Sequence, residues 1–230
     1  MTYAVKEIFY TLQGEGANAG RPAVFLRFSG CNLWTGLERD RDKGPGGCSR
    51  WCDTDFVGTD GSGGGKFRSP AELVSAVASH WPHATRPGQA VRPGEAVRPG
   101  QAVRPFVVCT GGEPLLQLDA PLLAEFNAAG WSVAVETNGT VEPPEGELWL
   151  TVSPKANAEL RVLRGDELKL VFPQEGAEPE RFEGLGFQHF FLQPMDSPQV
   201  ERNTAEALQY CLAHPQWRLS LQTHKILKIP

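Results

Sequence analysis

The chain reads Val24-Phe25-Leu26-Arg27-Phe28-Ser29-Gly30-Cys31 near its start and, after an insert of sixteen residues, Cys48-Ser49-Arg50-Trp51-Cys52-Asp53-Thr54-Asp55. The apolar first run predicts a buried strand, and the polar residues after it predict a loop that carries three cysteines. Three thiolates can hold three corners of a cubane iron–sulfur cluster and leave the fourth iron open for a ligand. The loop therefore points to chemistry at the end of a core strand.

Zinc is the alternative occupant of these cysteines. A structural zinc site takes four nitrogen or sulfur ligands, and His80 and His83 lie beyond a glycine-rich stretch. Cys109, at the end of a predicted strand, is a further candidate ligand. Burial as small apolar side chains explains Cys109 and Cys211 well, but it explains three thiols on a polar loop poorly. The residues favour the iron–sulfur site over zinc, and either metal over inert thiols.

Composition limits the other functions. The chain has 230 residues, of which 40% are hydrophobic and 21% charged, so one soluble domain spanning 1–230 is expected. A net charge of −5 argues against a general binder of nucleic acid or of membrane surfaces. The first residues lack an apolar signal core, and no run approaches the roughly 20 apolar residues that cross a bilayer. Five cysteines, three of them clustered, favour a cytoplasmic location over a secreted disulfide scaffold.

Two stretches are predicted to be flexible insertions in this domain. Residues 58–66 are rich in glycine, which is a linker composition. Residues 86–105 repeat an Arg-Pro-Gly hexapeptide about three times. A hexapeptide period can also indicate a β-helix coil, but the repeated proline and the lack of an aliphatic column favour a low-complexity insertion.

Outside these insertions the chain alternates strand-like and helix-like segments. Buried strands are predicted at Val24–Phe28, Phe106–Thr110, Val133–Glu136, Leu148–Val152, Leu168–Phe172, His189–Leu192 and Arg218–Gln222. Helices are predicted after the N-cap residues Ser69 and Asp119, and over Asn203–Ala213. Repeated βα units imply a parallel sheet whose functional residues gather at the carboxyl ends of the strands.

Polar motifs follow four of these strands. They are Thr110-Gly111-Gly112-Glu113-Pro114, Glu136-Thr137-Asn138-Gly139-Thr140, Ser153-Pro154-Lys155 and Gln193-Pro194-Met195-Asp196. An ordinary turn explains each motif alone, but together they place hydrogen-bonding groups at four strand ends. The glycine pair lets the backbone approach a ligand closely, and Glu136 suits the hydroxyls of a ribose.

Arg27 interrupts an apolar strand, and a buried arginine needs an anion beside it. That anion is either a protein carboxylate or the carboxylate of a substrate, and the position favours the substrate. The loop Leu12-Gln13-Gly14-Glu15-Gly16 before this strand is not a dinucleotide fingerprint, since Ala19 stands where the third glycine belongs. The apolar and basic segment His224–Pro230 is predicted to fold back onto the protein.

The chain resembles the radical S-adenosylmethionine (radical SAM) superfamily and, within it, the 7-carboxy-7-deazaguanine synthase family. The resemblance rests on the four strand-end motifs and on Phe9–Gly16, Phe25–Arg27, Cys31–Trp34 and Cys52–Phe56. It implies an α/β fold, an incomplete (β/α) barrel of the radical SAM type with few helices and with loop insertions. The cysteine spacing departs from the superfamily, because three residues separate Cys48 from Cys52 where two are usual.

The resemblance also implies the site residues. Cys31, Cys48 and Cys52 would ligate a [4Fe-4S] cluster, and the hydroxyl of Thr54 would bind Mg2+, a cation that prefers oxygen ligands. SAM would contact Trp51, Asp53, Gly112, Glu136, Asn138, Ser153, Pro154, Lys155, Gln193, Pro194, Met195 and Asp196. The substrate would contact Leu12, Gln13, Gly14, Glu15, Arg27, Thr110, His224 and Pro230. No residue is assigned as a catalytic acid or base, since the resemblance implies a radical derived from SAM.

The implied activity is that of a carbon–nitrogen lyase of queuosine and 7-deazapurine biosynthesis. It converts 6-carboxy-5,6,7,8-tetrahydropterin to 7-carboxy-7-deazaguanine with loss of ammonia, and a 5′-deoxyadenosyl radical starts the ring contraction. The implied partners are an electron donor such as a flavodoxin or ferredoxin, and a second copy in a homodimer. The alternatives are another radical SAM reaction, such as glycyl-radical activation, and a zinc-dependent binding module without catalysis.

Overall fold

Residues 2–44, 46–82 and 104–230 are described by the structure, a computed structural model. Most of the Arg-Pro-Gly insertion predicted at 86–105 therefore lies outside the described residues. The described strands are Tyr3–Leu12 (β1), Pro22–Phe28 (β2), Gly65–Phe67 (β3), Phe106–Gly111 (β4), Ser132–Thr137 (β5), Trp149–Val152 (β6), Arg164–Phe172 (β7), Gly186–Pro194 (β8) and Trp217–Leu219 (β9). The described α-helices are Pro70–Ser79 (α1), Ala120–Ala128 (α2), Val200–Ala213 (α3) and Thr223–Leu227 (α4).

These strands form one sheet in the order β3-β1-β2-β4-β5-β6-β7-β8-β9. β1 pairs antiparallel with β2 and β3, whereas each neighbouring pair from β2 to β9 is parallel. The parallel part follows from the predicted βα units, because parallel neighbours need a crossover connection. β3 and β9 end the sheet at opposite edges, so the sheet is open rather than a closed barrel. The predicted α/β class with an incomplete barrel and few helices is confirmed.

The seven predicted strands are all present, although β9 is shorter than predicted and ends at Leu219. The predicted starts of α1 and α2 are also correct. The Ser69 hydroxyl accepts from Glu72 N at 3.2 Å at the start of α1, and the Asp119 carboxylate accepts from Leu122 N at 3.0 Å at the start of α2. α3 begins at Val200, three residues before the predicted start.

The main core lies between the sheet and the helices α1 to α3. Leu73 of α1, Phe126 of α2 and Ala207 of α3 are completely buried in it. Cys109 is buried in the same core, and burial raises the pKa of its thiol strongly. Cys109 therefore does not join the cysteine loop, and it is not the fourth zinc ligand considered from the sequence.

The glycine-rich residues 58–66 pair with β1 instead of forming a flexible insertion. Ile8 N donates to Ser62 O at 2.8 Å, and Gly61 N donates to Lys6 O at 3.0 Å. The segment then continues as β3, whose residues 65–67 pair with residues 3–5 of β1. Within the described part of the chain, no helix is both long enough and apolar enough to cross a membrane.

Candidate active site

A cavity of about 400 Å3 opens at the carboxyl ends of the parallel strands. Parallel strands end at one edge of their sheet, where open α/β sheets bind their ligands. All four predicted strand-end motifs contribute to the cavity wall, through Thr110 to Gly112, Glu136 to Asn138, Ser153 with Lys155, and Gln193 with Asp196. The sheet thus brings together motifs that lie far apart in sequence.

Every residue predicted to contact the cluster, Mg2+, SAM or the substrate lines this cavity, with the exceptions of Pro154 and Met195. Pro154 is buried behind the wall, where its carbonyl oxygen accepts from Gln174 Nε2 at 3.3 Å. The carbonyl oxygen of Met195 accepts from Asn203 Nδ2 at 2.9 Å, which ties the end of β8 to α3. These two residues hold the neighbouring wall residues in place and do not themselves line the cavity.

The three cysteines of the loop all reach the cavity as free thiols. Cys48 lies on a short helical turn, and its carbonyl oxygen accepts from Cys52 N at 2.7 Å. Cys52 follows the end of this turn, and both thiols still line the same cavity despite the three-residue gap. The unusual spacing is therefore compatible with a shared site for Cys31, Cys48 and Cys52.

The glycine pair after β4 packs against this cysteine loop. A Cβ atom added to Gly112 would lie 2.3 Å from Gly30 O and 2.6 Å from Cys31 Cβ. Only glycine fits at this distance. The structure shows this backbone close to the backbone that carries Cys31. Its close approach to a ligand, predicted from the sequence, stays a prediction, and both glycines line the cavity.

Glu113, the next residue, anchors the end of β5. Its carboxylate is completely buried and accepts from Leu115 N at 3.0 Å, Thr137 Oγ1 at 2.7 Å and Asn138 N at 2.8 Å. Burial raises the pKa of this carboxyl, and the three donors oppose that shift. Asn138 Nδ2 in turn donates to Asn32 Oδ1 at 3.1 Å, so Glu113 indirectly positions the cysteine loop.

A buried ion cluster crosses the cavity beside these strand ends. Lys169 Nζ of β7 lies 2.5 Å from Glu15 Oε2 and 3.3 Å from Glu136 Oε1. Lys169 is only 4% exposed and was missed from the sequence. A signal was present, because Lys169 interrupts an apolar strand in the same way as Arg27.

Arg27 has a protein carboxylate as well as the cavity beside it. Its Nε donates to Glu7 Oε1 at 2.7 Å, and both side chains line the cavity. Phe9 and Phe25 line it too, with their rings stacked at 5.4 Å between centroids. Glu7 thus orients the guanidinium within an apolar part of the wall.

A further ammonium group, that of Lys155, lies near the cysteines. Its Nζ donates to Ser153 Oγ at 2.5 Å and lies 5.5 Å from the centre of the Trp51 ring. Burial lowers the pKa of Lys155, and nearby Cys48 and Cys52 act in the opposite direction. A positive charge at this point favours the thiolate forms of those cysteines.

The C-terminal segment folds back onto the cavity, as predicted from its composition. Thr223 N donates to Gly14 O at 3.1 Å, and the hydroxyl of Thr11 donates to Pro230 O at 3.1 Å. Lys225 Nζ lies 2.6 Å from Asp53 Oδ2 and 2.5 Å from Asp196 Oδ2. α4 therefore links the cysteine loop to the end of β8 across the cavity.

The residues present fit an iron–sulfur cluster. The three free thiols line one cavity, and their mutual electrostatic effects add to burial in raising the pKa of Cys48 to about 11. The Lys155 ammonium lowers that pKa and so offsets part of the charge that thiolate ligands bring. In the part of the chain that the structure describes, no three or more His, Cys, Asp or Glu side chains converge on the position of a single metal ion. A cubane cluster takes each thiolate on a different iron, so its three cysteine ligands do not have to converge on one point.

Comparisons with known proteins agree with the sequence motifs. No protein-family model matches the chain. The chain is 58% identical over 230 residues to the 7-carboxy-7-deazaguanine synthase of Bordetella pertussis, and the match covers 100% of both chains. It is 55% identical over 230 residues to the enzyme of the same name from Burkholderia multivorans, again with 100% coverage of both.

A solved structure gives the same result for the fold. The crystal structure of QueE from Escherichia coli matches with a TM-score of 0.67 and 26% sequence identity, covering 96% of this chain and 94% of that one. The identities over the full length, together with the site geometry, place the chain in one family. The chain belongs to the 7-carboxy-7-deazaguanine synthase family, the family that its cysteine loop and strand-end motifs predicted.

Proposed function

We propose that this protein is a radical SAM lyase that converts 6-carboxy-5,6,7,8-tetrahydropterin to 7-carboxy-7-deazaguanine with loss of ammonia. The observation that carries the proposal is the meeting of three free thiols and four strand-end motifs at one cavity, in a chain of this family. When bound, the cluster and SAM together supply the radical chemistry. The residues of the chain have to bind and orient the cofactor and the substrate, and they have to exclude water.

The cluster would be held by Cys31, Cys48 and Cys52. SAM would lie along the strand ends, next to Gly112, Glu136, Asn138 and the other cavity residues predicted for it. Support comes from the Glu113 anchor, which fixes the Asn138 turn against the cysteine loop. A fixed turn keeps its hydrogen-bonding groups in place for the ligand and so lowers the entropic cost of binding.

The substrate carboxylate would bind at Arg27. Glu7 occupies Nε of this guanidinium and leaves the two Nη atoms for a bidentate contact. The stacked Phe9 and Phe25 rings provide an apolar wall beside that contact for a flat heterocycle. Gln13, Glu15 and His224 line the same region and would recognise the polar edge of the substrate.

Several finer assignments belong to the same proposal. Thr54 lines the cavity and would bind Mg2+ through its hydroxyl oxygen. We propose a single domain with a cytoplasmic location, which five free cysteines favour. An external electron donor such as a flavodoxin or ferredoxin and a homodimeric assembly complete the proposal.

The test is anaerobic incubation of the reconstituted protein with SAM, a reductant and the carboxypterin, followed by mass analysis. We expect the deazaguanine acid and ammonia, 5′-deoxyadenosine and methionine only in smaller amounts, and an iron-to-sulfide ratio typical of a cubane cluster. The conversion with loss of ammonia is redox-neutral, so the hydrogen atom taken from the substrate has to be returned and SAM is not consumed with each turnover. About one zinc per chain without acid-labile sulfide would refute the catalytic function, since zinc needs no inorganic sulfide. SAM cleavage without the deazaguanine acid would instead identify a different radical SAM reaction.

A further inference from the structure

Lys169 lies in the middle of β7, on the cavity side of the sheet. Its neighbours Leu168 and Leu170 are completely buried in the main core, so alternation along the strand turns Lys169 the other way. Val171, two residues on, also lines the cavity. An ammonium at such a buried position requires carboxylate partners.

Its two partners belong to opposite halves of the site. Glu15 lies on the loop proposed for the substrate, and Glu136 lies at the strand end proposed for SAM. Gln13 joins the same two halves, because its Nε2 donates to Glu136 Oε1 at 3.0 Å while its Oε1 accepts from Glu15 N at 3.1 Å. Lys169 and Gln13 thus make two parallel connections between the substrate loop and the SAM strand.

The loop is held to β7 at a second point. Ala17 N donates to Glu167 Oε2 at 2.9 Å, and a Cβ atom on Gly16 would lie 2.0 Å from Glu167 Oε1. Gly16 also has a φ of +64°, which favours glycine. β7 therefore holds the substrate loop at two points, since Glu167 contacts Gly16 and Ala17 and Lys169 contacts Glu15.

The charges in this network depend on one another. Burial would raise the pKa of Glu15, but the Lys169 ammonium, a hydrogen bond from Gln222 and the proximity of His224 lower it to about 2. Burial acts to lower the pKa of Lys169, and the carboxylates of Glu136, Glu15 and Glu167 raise it. Without the ammonium, Glu15 and Glu136 would repel each other and lose their common orientation.

We propose that Lys169 is a positioning residue that couples the two halves of the cavity, so that binding of the substrate strengthens binding of SAM. This inference rests on the proposed substrate and cofactor. A ligand that fixes Glu15 also fixes Lys169, and through it Glu136, before the second ligand arrives. The second ligand then meets an ordered carboxylate and loses less conformational entropy on binding.

The experiment measures binding without turnover. The cluster-loaded protein is titrated anaerobically with SAM by calorimetry, with and without saturating carboxypterin, and the reductant is omitted. For the wild type we expect the substrate to lower the Kd for SAM by about 5- to 50-fold, which lies within the usual range for coupled sites. The ratio of these two Kd values, without and with the carboxypterin, measures the coupling. For Lys169→Met we expect this ratio to fall below about 2-fold, since the ammonium that connects Glu15 to Glu136 is gone.

Two controls separate positioning from a general loss of structure. Lys169→Arg keeps a cation between the carboxylates and is expected to restore most of the coupling. Arg164→Met removes a cation from the exposed start of the same strand and is expected to keep the wild-type ratio. If Lys169→Met loses the fold or the cluster, Lys169→Gln, which keeps a polar side chain without the charge, takes its place and is expected to show the same loss of coupling; an unchanged ratio in that variant overturns the proposal.

The outcomes are distinct from those of the proposed function. A wild-type ratio of one, or an unchanged ratio in a folded, iron-loaded Lys169→Met, overturns the coupling. Formation of the deazaguanine acid by the wild type under reducing conditions would leave the proposed function intact in that case. A wild type that binds SAM but not the carboxypterin overturns both.

Discussion

Glu113→Gln tests whether a buried carboxylate holds the site together. The substitution keeps the shape of the side chain but replaces one carboxylate oxygen by an amide NH2 group. In the structure Glu113 Oε1 accepts from Leu115 N and Thr137 Oγ1, while Oε2 accepts from Asn138 N. Whichever way the new amide turns, its NH2 group faces a backbone N–H that it cannot accept from.

The expected magnitude follows from this mismatch. One charge-assisted hydrogen bond is lost, and one buried N–H is left without an acceptor, which together cost about 3 kcal/mol. For a chain of this size that loss lowers the melting temperature by about 6–12 °C. If about 1.4 kcal/mol of it is expressed at the Asn138 turn, SAM binds about tenfold more weakly.

The assay combines thermal unfolding with calorimetry of SAM binding, both on anaerobically reconstituted protein. Glu142→Gln, at an exposed position after β5, is the matched control and should behave like the wild type. Glu113→Gln with the melting temperature and SAM affinity of that control would refute the reasoning.

Three further substitutions address the cluster, the substrate and the pH dependence. Cys48→Ala removes one thiolate ligand of the cluster and should abolish 5′-deoxyadenosine formation. Wild-type iron content together with wild-type formation of 5′-deoxyadenosine would rule out Cys48 as a ligand. Arg27→Ala should weaken carboxypterin binding about 100-fold in calorimetry, since a charged hydrogen-bonded contact is lost. The iron content of Arg27→Ala should be unchanged, and Arg27→Lys should recover only part of the affinity for the carboxypterin. Unchanged affinity in Arg27→Ala would contradict the proposal that Arg27 binds the substrate carboxylate. Burial raises the pKa of Glu167 to about 7, against roughly 4.3 in an unfolded chain, so the folded protein keeps a proton that the unfolded chain has released. The free energy of unfolding should therefore fall by at most about 3 kcal/mol as the pH rises from about 5 to 7. Glu167→Gln should flatten the dependence of the melting temperature on pH over that window. The same pH dependence in the wild type and in Glu167→Gln would contradict the raised pKa of Glu167.

The parallel part of the fold could be predicted because each buried strand is a short apolar run followed by a polar turn. β1 was missed for a physical reason. It is antiparallel and its register shifts between Val5 and Glu7, which breaks the alternation that identifies a half-buried strand. The glycine-rich turn before β3 was misjudged because its order comes from backbone hydrogen bonds to β1, which composition does not reveal.

The position of the site was predictable because parallel strands bring the residues at their carboxyl ends together at one edge of the sheet. The cysteine loop and the four strand-end motifs are local sequence patterns, and all of them line the one cavity. The partners of Lys169 are 154 and 33 residues away, so only the folded sheet reveals the ion cluster. Pro154 and Met195 were assigned by their position within motifs, but the residues beside them, not they, line the cavity.

The open sheet has one further consequence, for its behaviour in concentrated solution. An open sheet has two edge strands, and unpaired edge strands tend to recruit strands from other chains. Both edge strands here, β3 and β9, are three residues long. The central residue of each is a cation, Lys66 in one and Arg218 in the other. Short edges with a charge at the centre resist strand addition, so the open architecture that admits ligands is protected against edge-to-edge aggregation.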